Sequence, residues 1–198
     1  MPRIFCDIRL GPGAQFALAP EAAQHVARAL RLAKGDALTL FDGRGGEYEA
    51  TIERIDRGRV DVKVGAWRDV EREAAVRVGL VQGLPEADKM DWIIQKSVEL
   101  GVDWIQPLVC DRSVVRLSGE RAERRESHWK RVAIAACEQS GRNAVPEIRP
   151  TLAFQAWIAG DPVSPRWMLT PGAPAMPCMA MRHGSGSASG DTRCEQPS

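Results

Sequence analysis

Apolar and polar positions alternate along three short stretches of the first third of the chain. These are residues 36–42, 48–55 and 59–64, and they are separated by the glycine-rich residues 43–46 and by residues 56–58. A period of two is typical of half-buried strands, and the glycines between the runs indicate tight turns. The pattern therefore predicts a small β-rich unit.

A helical period precedes these strands. Residues 20–32 begin with a proline, which the first turn of a helix tolerates well. Four apolar residues then recur on one helical face: Ala23, Val26, Ala27 and Leu30. The helix and the strands together predict a compact, barrel-like first domain over residues 1–67.

The period changes after the charged residues 66–75, which we interpret as a domain boundary. Residues 76–82 have a strand pattern, and residues 88–100 have helical spacing, with Asp88 as the predicted N-cap and Gly101 as the residue just past the helix. Residues 104–109 again have a strand pattern. This order predicts a β-α-β unit with parallel strands and a right-handed crossover.

A second long helix is predicted over residues 120–140. Its apolar stripe consists of Trp129, Val132, Ala133, Ala136 and Cys137. A short helix at 152–158 and a strand at 167–170 follow, so residues 74–175 are predicted to form an α/β domain. Residues 176–198 are rich in Gly, Ser, Pro and Met without either period, which predicts a disordered tail.

Composition narrows the class of protein. Lys and Arg number 27 against 26 Asp and Glu, so the net charge alone does not indicate a nucleic-acid partner. We expect no membrane span, because no apolar run is long enough, and no secretory signal. Five scattered cysteines and three distant histidines predict no metal site, and free thiols predict a cytoplasmic protein.

Two polar loops carry the candidate chemistry of the second half. Arg112 and Arg116 follow the strand 104–109, where an open parallel sheet binds ligands, and a guanidinium holds phosphate oxygens well. Pairing with Asp111 or Glu120 is the alternative. The second loop, residues 138–142, ends the long helix with polar residues, which either face a substrate or bond to neighbouring loops and chains.

Basic residues of the first domain offer a modest surface for an RNA backbone. They are Arg3, Arg9, Arg28, Arg31, Lys34 and Arg44. Arg28 and Arg31 are three apart and are predicted to share one helix face. Phosphate contacts of this kind position RNA without reading its sequence.

Three ordered segments resemble one known family. They are residues 24–52 (QHVARALRLAKGDALTLFDGRGGEYEATI), 88–116 (DKMDWIIQKSVELGVDWIQPLVCDRSVVR) and 128–148 (HWKRVAIAACEQSGRNAVPEI). The first resembles the PUA-like domain of bacterial 16S ribosomal RNA uridine-N3 methyltransferases. The other two resemble the SPOUT methyltransferase domain of that family, an α/β fold that ends in a knot.

The resemblance implies a homodimer that transfers a methyl group from S-adenosylmethionine to N3 of one uridine in the 16S rRNA of the small ribosomal subunit. It implies catalytic roles near the target base for Glu138, Gln139 and Arg142, with Glu138 as the proton acceptor. Arg3, Arg28, Arg31, Arg112 and Arg116 are the predicted RNA-binding residues. The uridine must be exposed or extruded to react.

The sequence departs from this family near its end. The family's Gly-Pro-Glu-Gly-Gly loop and its later Leu-Gly…Arg-x-Leu-Arg segment are absent, and residues 176–198 do not resemble the family. We therefore expect an incomplete SPOUT domain that lacks the knot segment, produced by a changed reading frame or a lost end. The alternative functions are an RNA-binding protein without catalysis and a non-functional truncated product.

Overall fold

The structure is a computed structural model that describes residues 1–110, 119–160 and 169, and residues 1–160 form one compact unit. The tail at 176–198, Arg112 and Arg116 lie outside the described residues, and so does the strand predicted at 167–170 apart from Leu169. Across the described residues, no helix is long and apolar enough to cross a membrane.

The first sheet has five strands in the order β1-β3-β4-β5-β2. They are β1 (Arg3–Phe5), β2 (Gln15–Ala17), β3 (Ala37–Phe41), β4 (Glu47–Asp56) and β5 (Arg59–Arg68). β1 pairs with β3 in parallel, and the other pairings are antiparallel. The three alternating runs are confirmed as β3, β4 and β5. β1 and β2 were not predicted, because three residues are too few to show a period.

The β4–β5 hairpin shows why the alternation is so regular. Arg57 and Gly58 both have positive φ, 46° and 88°, as a tight two-residue turn between twisted strands requires. Beyond the turn, Val60, Val62 and Val64 are buried in the core of the first sheet. β5 continues to Arg68, so the predicted boundary at residues 66–75 begins inside this strand.

The first helix is shorter than predicted. α1 (Pro20–Gln24) begins at the predicted proline, and the chain continues as a π-helical turn, His25–Ala29. Arg31 has φ 53°, outside the helical region. The prediction that Arg28 and Arg31 share one helix face is therefore wrong, because the helix has ended and the chain has turned before Arg31 is reached.

The second sheet is parallel throughout. Its elements are β6 (Gly79–Gly83), α2 (Ala87–Glu99), β7 (Trp104–Val109), α3 (Glu120–Ser140), β8 (Glu147–Ile148), β9 (Leu152–Ala153) and α4 (Phe154–Ala159). β7 is central: it pairs with β6 along its length, with β8 near its start and with β9 near its end. The β-α-β unit is confirmed, and α3 has the predicted bounds.

Three local predictions need correction. β6 begins at Gly79 rather than residue 76, and the N-cap of α2 is Glu86, so Asp88 lies inside the helix. Leu152–Ala153 pairs with β7, so the short predicted helix starts two residues late, at Phe154. Gly101 is confirmed as the residue past α2, with φ 91°.

Two hydrophobic cores underlie the two sheets, and the first sheet contributes to both. Phe41, at the end of β3, is fully buried in the second core, and Phe5 packs against it there. The predicted stripe of α3 fills much of this second core, with Val132 at its margin. A side chain from the first sheet is therefore part of the interior of the α/β half.

Candidate functional site

The parallel strands give the second sheet two chemically different edges. β6 and β7 end at Gly83 and Val109, and ligands of open parallel sheets bind outside such carboxyl ends. α3 runs back along the sheet to β8, whose Glu147 pairs with Trp104 at the start of β7. The last turn of α3 therefore lies at the opposite, amino edge.

The three residues predicted to be catalytic lie together at this amino edge. Arg142 donates through Nη1 to the carbonyl oxygens of Val98 (3.1 Å) and Val102 (2.8 Å), where α2 ends and β7 is about to begin. Glu138 and Gln139 are in the last turn of α3 just before it. The catalytic roles of these three residues remain predictions. Their contacts, described next, indicate whether each side chain is available to a substrate.

The Arg142 side chain is 6% exposed and is held by five hydrogen bonds. Besides the two carbonyl contacts, Nε donates to both carboxylate oxygens of Glu73, at 3.3 and 3.0 Å, and Nη2 also donates to Glu73. Every guanidinium nitrogen thus has a partner inside the protein. A guanidinium engaged in this way is suited to holding structure in place.

Asn143 continues this contact towards residues 69–78, the joining segment between β5 and β6. Its Nδ2 donates to the carbonyl oxygen of Val70 at 2.7 Å, and its Oδ1 accepts from Arg3 Nη2 at 2.6 Å. Asn143 is almost fully buried. Buried side-chain amides are stable only when their donors and acceptors are paired, so this residue fixes Arg3 and the joining segment together.

Glu138 contacts the first sheet directly. Its Oε1 accepts a hydrogen bond of 3.0 Å from the backbone N–H of Phe5 in β1. Burial raises the pKa of Glu138 above its usual value, and the Phe5 hydrogen bond and the charges of His25 and Arg3 oppose this only in part. The raised pKa suits a proton acceptor, but the carboxylate is also part of the contact between α3 and β1.

Gln139 differs from its neighbours, because its side chain is exposed on α3. It is therefore accessible to RNA or to another protein chain. Of the three residues predicted as catalytic, it alone is not engaged in a hydrogen bond between described residues. Ser140 is also exposed, at the last position of the helix.

Arg3 was predicted to bind RNA, and the structure places it inside the contact between the sheets. It forms an ion pair with Glu47 in β4, and its guanidinium lies 4.9 Å from the centre of the Phe41 ring. Arg72 reaches the same Glu47 carboxylate at 2.8 Å. Burial alone would raise the pKa of Glu47, but the hydrogen bonds and charges of Arg72 and Arg3 lower it overall.

Arg28 and Arg31 both have exposed side chains on the first domain. Neither forms an ion pair with another described residue, so both are accessible to an anionic partner. Their role in RNA binding remains a prediction. The same holds for Arg112 and Arg116, which lie outside the described residues.

Sequence reasoning missed Glu47, Arg72 and Glu73. They lie in a strand and in a charged stretch that was interpreted only as a boundary. The available signal was that Arg142 directly follows the apolar helix α3. An arginine that is buried there needs a carboxylate partner. The sequence does not indicate which of the many carboxylates it is, because Glu73 is 69 positions away.

S-adenosylmethionine, the cofactor that the resemblance implies, presents an adenine, ribose hydroxyls, a carboxylate and an ammonium group, all of which require polar partners. A cavity of about 240 Å³ lies beside the start of β6. Its lining is apolar apart from Ser97, whose hydroxyl already donates to Ile93 O at 2.7 Å. This cavity therefore does not fit the cofactor, and the described residues hold no cluster of metal ligands.

Two protein-family models match the chain in the predicted order. Residues 18–65 match a model described as an RNA methyltransferase PUA domain, and residues 72–173 match one described as an RNA methyltransferase domain. The predicted fold class, a PUA-like sheet followed by a SPOUT-type parallel sheet, is confirmed. The domain boundaries at 1–67, 74–175 and 176–198 remain predictions.

Individual relatives agree with these models. Ribosomal RNA small subunit methyltransferase E of Bacillus subtilis is 31% identical over 158 residues, which are 78% of this chain and 62% of that protein. The enzyme of the same name from Neisseria gonorrhoeae, solved bound to S-adenosyl methionine, is 35% identical with a TM-score of 0.78, over 82% of this chain and 67% of that one. A methyltransferase from Legionella pneumophila, solved in complex with SAM, is 36% identical with a TM-score of 0.77. The match covers 79% of this chain and 64% of that one.

The chain thus spans about two thirds of the length of these relatives. The methyltransferase model alone matches more than half of the chain. The chain therefore belongs to the RNA methyltransferase family that this model describes.

Proposed function

We propose that this protein serves the methylation of ribosomal RNA, with S-adenosylmethionine as the methyl donor and N3 of a uridine in 16S rRNA as the acceptor. The observation that carries the proposal is the occurrence, in one chain and in this order, of a PUA-domain match and a methyltransferase-domain match. Relatives that match 78% and 82% of this chain are named as small-subunit rRNA methyltransferases, and one was solved with the methyl donor bound.

The proposed RNA contacts divide between the two halves. Arg28 and Arg31, with exposed side chains, bind phosphates on the first domain. Arg112 and Arg116, which follow β7 in the sequence, bind further phosphates. Gln139 faces RNA or a second subunit at the other edge. For Glu138 and Arg142 the proposal changes: their contacts support positioning rather than direct participation in the reaction.

The remaining parts of the proposal follow from the family. Methylation at N3 requires loss of the uracil N3 proton, and S-adenosylmethionine supplies the methyl group when bound. No step of the reaction is assigned to the described residues, because the cavity beside β6 does not suit the cofactor and Glu138 and Arg142 are engaged in contacts within the protein. We further propose a homodimer and, since the small ribosomal subunit is the substrate, a cytoplasmic location.

Two measurements test the proposal. Titration calorimetry with S-adenosylmethionine is expected to give heat of binding, and transfer of a labelled methyl group to unmodified small ribosomal subunits is expected to mark one uridine. RNA binding without heat and without transfer would instead establish an RNA-binding protein that lacks catalysis. An aggregated chain that binds neither would establish the non-functional product.

A matched pair of variants tests the RNA surface. Arg28→Ala is expected to weaken binding of a 16S rRNA fragment in fluorescence anisotropy, because it removes an exposed cation. Arg54→Ala is the control, since Arg54 is also exposed but is paired with Asp56 at 2.8 Å. Equal effects of the two substitutions would contradict a specific role for Arg28.

A further inference from the structure

Six polar side chains meet where the first sheet, the joining segment and the end of α3 come together. They are Arg3, Glu47, Arg72, Glu73, Arg142 and Asn143, and we call them the seam clamp. Glu47 is the central acceptor, since both Arg3 and Arg72 donate to it. Arg72 also donates to the carbonyl oxygen of Gly141 at 3.1 Å, directly after α3.

The clamp binds backbone as well as side chains on both sides of the seam. On the α/β side it reaches the carbonyl oxygens of Val98 and Val102, and the N–H of Ala144 donates to Glu73 at 3.3 Å. At the joining segment it reaches the carbonyl oxygen of Val70. Main-chain groups cannot change rotamer as exposed side chains can, so these contacts restrict rotation of one sheet against the other.

Burial distinguishes the inner residues of the clamp from ordinary surface ion pairs, although Arg72, at 38% exposure, lies at its margin. The side chains of Arg3, Glu47 and Arg142 are 12%, 9% and 6% exposed. Exposed pairs such as Arg54–Asp56 are screened by solvent and hold little in place. A buried network is satisfied only in one geometry, because moving either sheet would leave charged groups unpaired.

We propose that the seam clamp makes Arg142, Glu73 and Arg3 positioning residues: it fixes the first sheet on the parallel sheet as one rigid body, so that a folded RNA is bound across both. The part of this inference that concerns RNA rests on the proposed function. The clamp explains why α3 ends in Glu-Gln-Ser-Gly-Arg-Asn, since Glu138 holds β1 while Arg142 and Asn143 hold the joining segment and Arg3.

Residual dipolar couplings of backbone amides test the rigid body without reference to activity. Amides of β4 and β5 and those of β6 and β7 are expected to fit one alignment tensor in the unaltered chain. The double variant Glu73→Leu with Arg142→Met removes the central pair without leaving a lone buried charge, and it is expected to require two tensors. Asn143→Ala is a milder second variant, and Asp56→Asn, which breaks an exposed pair, is the control.

The functional half is tested on the same proteins by binding to a 16S rRNA fragment. Loss of fixed geometry is expected to weaken binding about tenfold or more in the double variant, because contacts on two halves reinforce each other only when correctly spaced. A short oligonucleotide that contacts one half should lose little affinity, which a general loss of folding would not produce.

The outcomes separate the two claims. A single tensor in both the double variant and Asn143→Ala overturns the clamp. Two tensors with unchanged binding of the long fragment overturn its role in positioning RNA. If the unaltered chain binds no RNA, the proposed function fails together with the positioning role, whereas the tensors still decide whether the clamp holds the sheets together.

Discussion

Both carboxylate oxygens of Glu73 face the guanidinium of Arg142, so a residue of the joining segment is tied to the residue that follows the last turn of α3. Arg142 also donates to the carbonyl oxygens of Val98 and Val102, just before β7. The pair therefore connects the joining segment, the end of α3 and the start of β7. Its energetic importance follows from its burial.

Arg142→Met is expected to destabilise the protein by about 3–5 kcal/mol, because it leaves the Glu73 carboxylate partly buried without its partner. Chemical denaturation measures this as a lower midpoint. The double variant with Glu73→Leu should recover much of the loss, since no unpaired charge remains. A loss below about 1 kcal/mol would place the pair among ordinary surface ion pairs and contradict the structure.

Glu47 is expected to give the protein an acid-sensitive stability. Its pKa lies below the ordinary 4.5 in the folded state, because Arg72 and Arg3 favour the charged form more than burial disfavours it. The unfolded chain therefore binds the proton more readily, so this contribution is present above 4.5 and is lost as the pH falls through the lowered value. Denaturation midpoints measured over acid pH should fall less steeply in Glu47→Gln than in the unaltered chain.

Glu138 is expected to show the opposite dependence. Its pKa is raised by burial, so the folded state binds the proton more readily than the unfolded chain does. The stabilisation is full below 4.5 and is lost as the pH rises through the raised value. Glu138→Gln, which keeps an acceptor for the Phe5 N–H, should therefore be better tolerated at neutral than at acid pH. An equal effect at both would contradict the raised pKa.

Two cysteines are expected to resist alkylation in the folded protein. Burial raises the pKa of Cys6 and of Cys137 to about 12, so at pH 8 only about one thiol in ten thousand is the reactive thiolate. Iodoacetamide followed by peptide mass spectrometry should leave both unmodified until denaturant is added. The denatured chain is the control, and rapid alkylation of either residue in the folded chain would show that its environment is open.

The elements that sequence predicted well are those whose own side chains decide their structure. α3 has a strong helical period over 21 residues, β7 is a mostly buried run of six residues, and both were found at their predicted bounds. β1 and β2 are stabilised by pairing with distant strands, which no local pattern records. The position of Arg31 depends on where the first helix ends. Residues 21–34 contain no glycine or proline that would indicate this end.

The candidate site was predictable only as a set of polar residues, not as an arrangement. The polar end of α3 was identified because polar residues there need partners. Its partners lie 40 to 140 positions away in the chain, and a single sequence contains no pairing information over such distances. The sequence therefore left open whether these residues face a substrate or bond to other parts of the protein, and the structure shows Glu138 and Arg142 hydrogen-bonded to other elements.

Gly79 is expected to be required at the start of β6. A Cβ atom there would lie 1.9 Å from Cε2 and 2.0 Å from Cζ2 of Trp104, on the neighbouring strand. Moving the ring aside would disturb its contact with the Arg149 guanidinium, which lies 3.9 Å from the centre of the ring. Gly79→Ala should cost about 1–3 kcal/mol through overpacking, measured as a lower unfolding midpoint.

Gly11→Ala, where nothing lies within 4 Å, is the control and should change little. Combining Gly79→Ala with Trp104→Leu should give less than the sum of the two single losses, because the smaller side chain leaves room for the methyl group; additive losses would show that the ring and the glycine are not in contact.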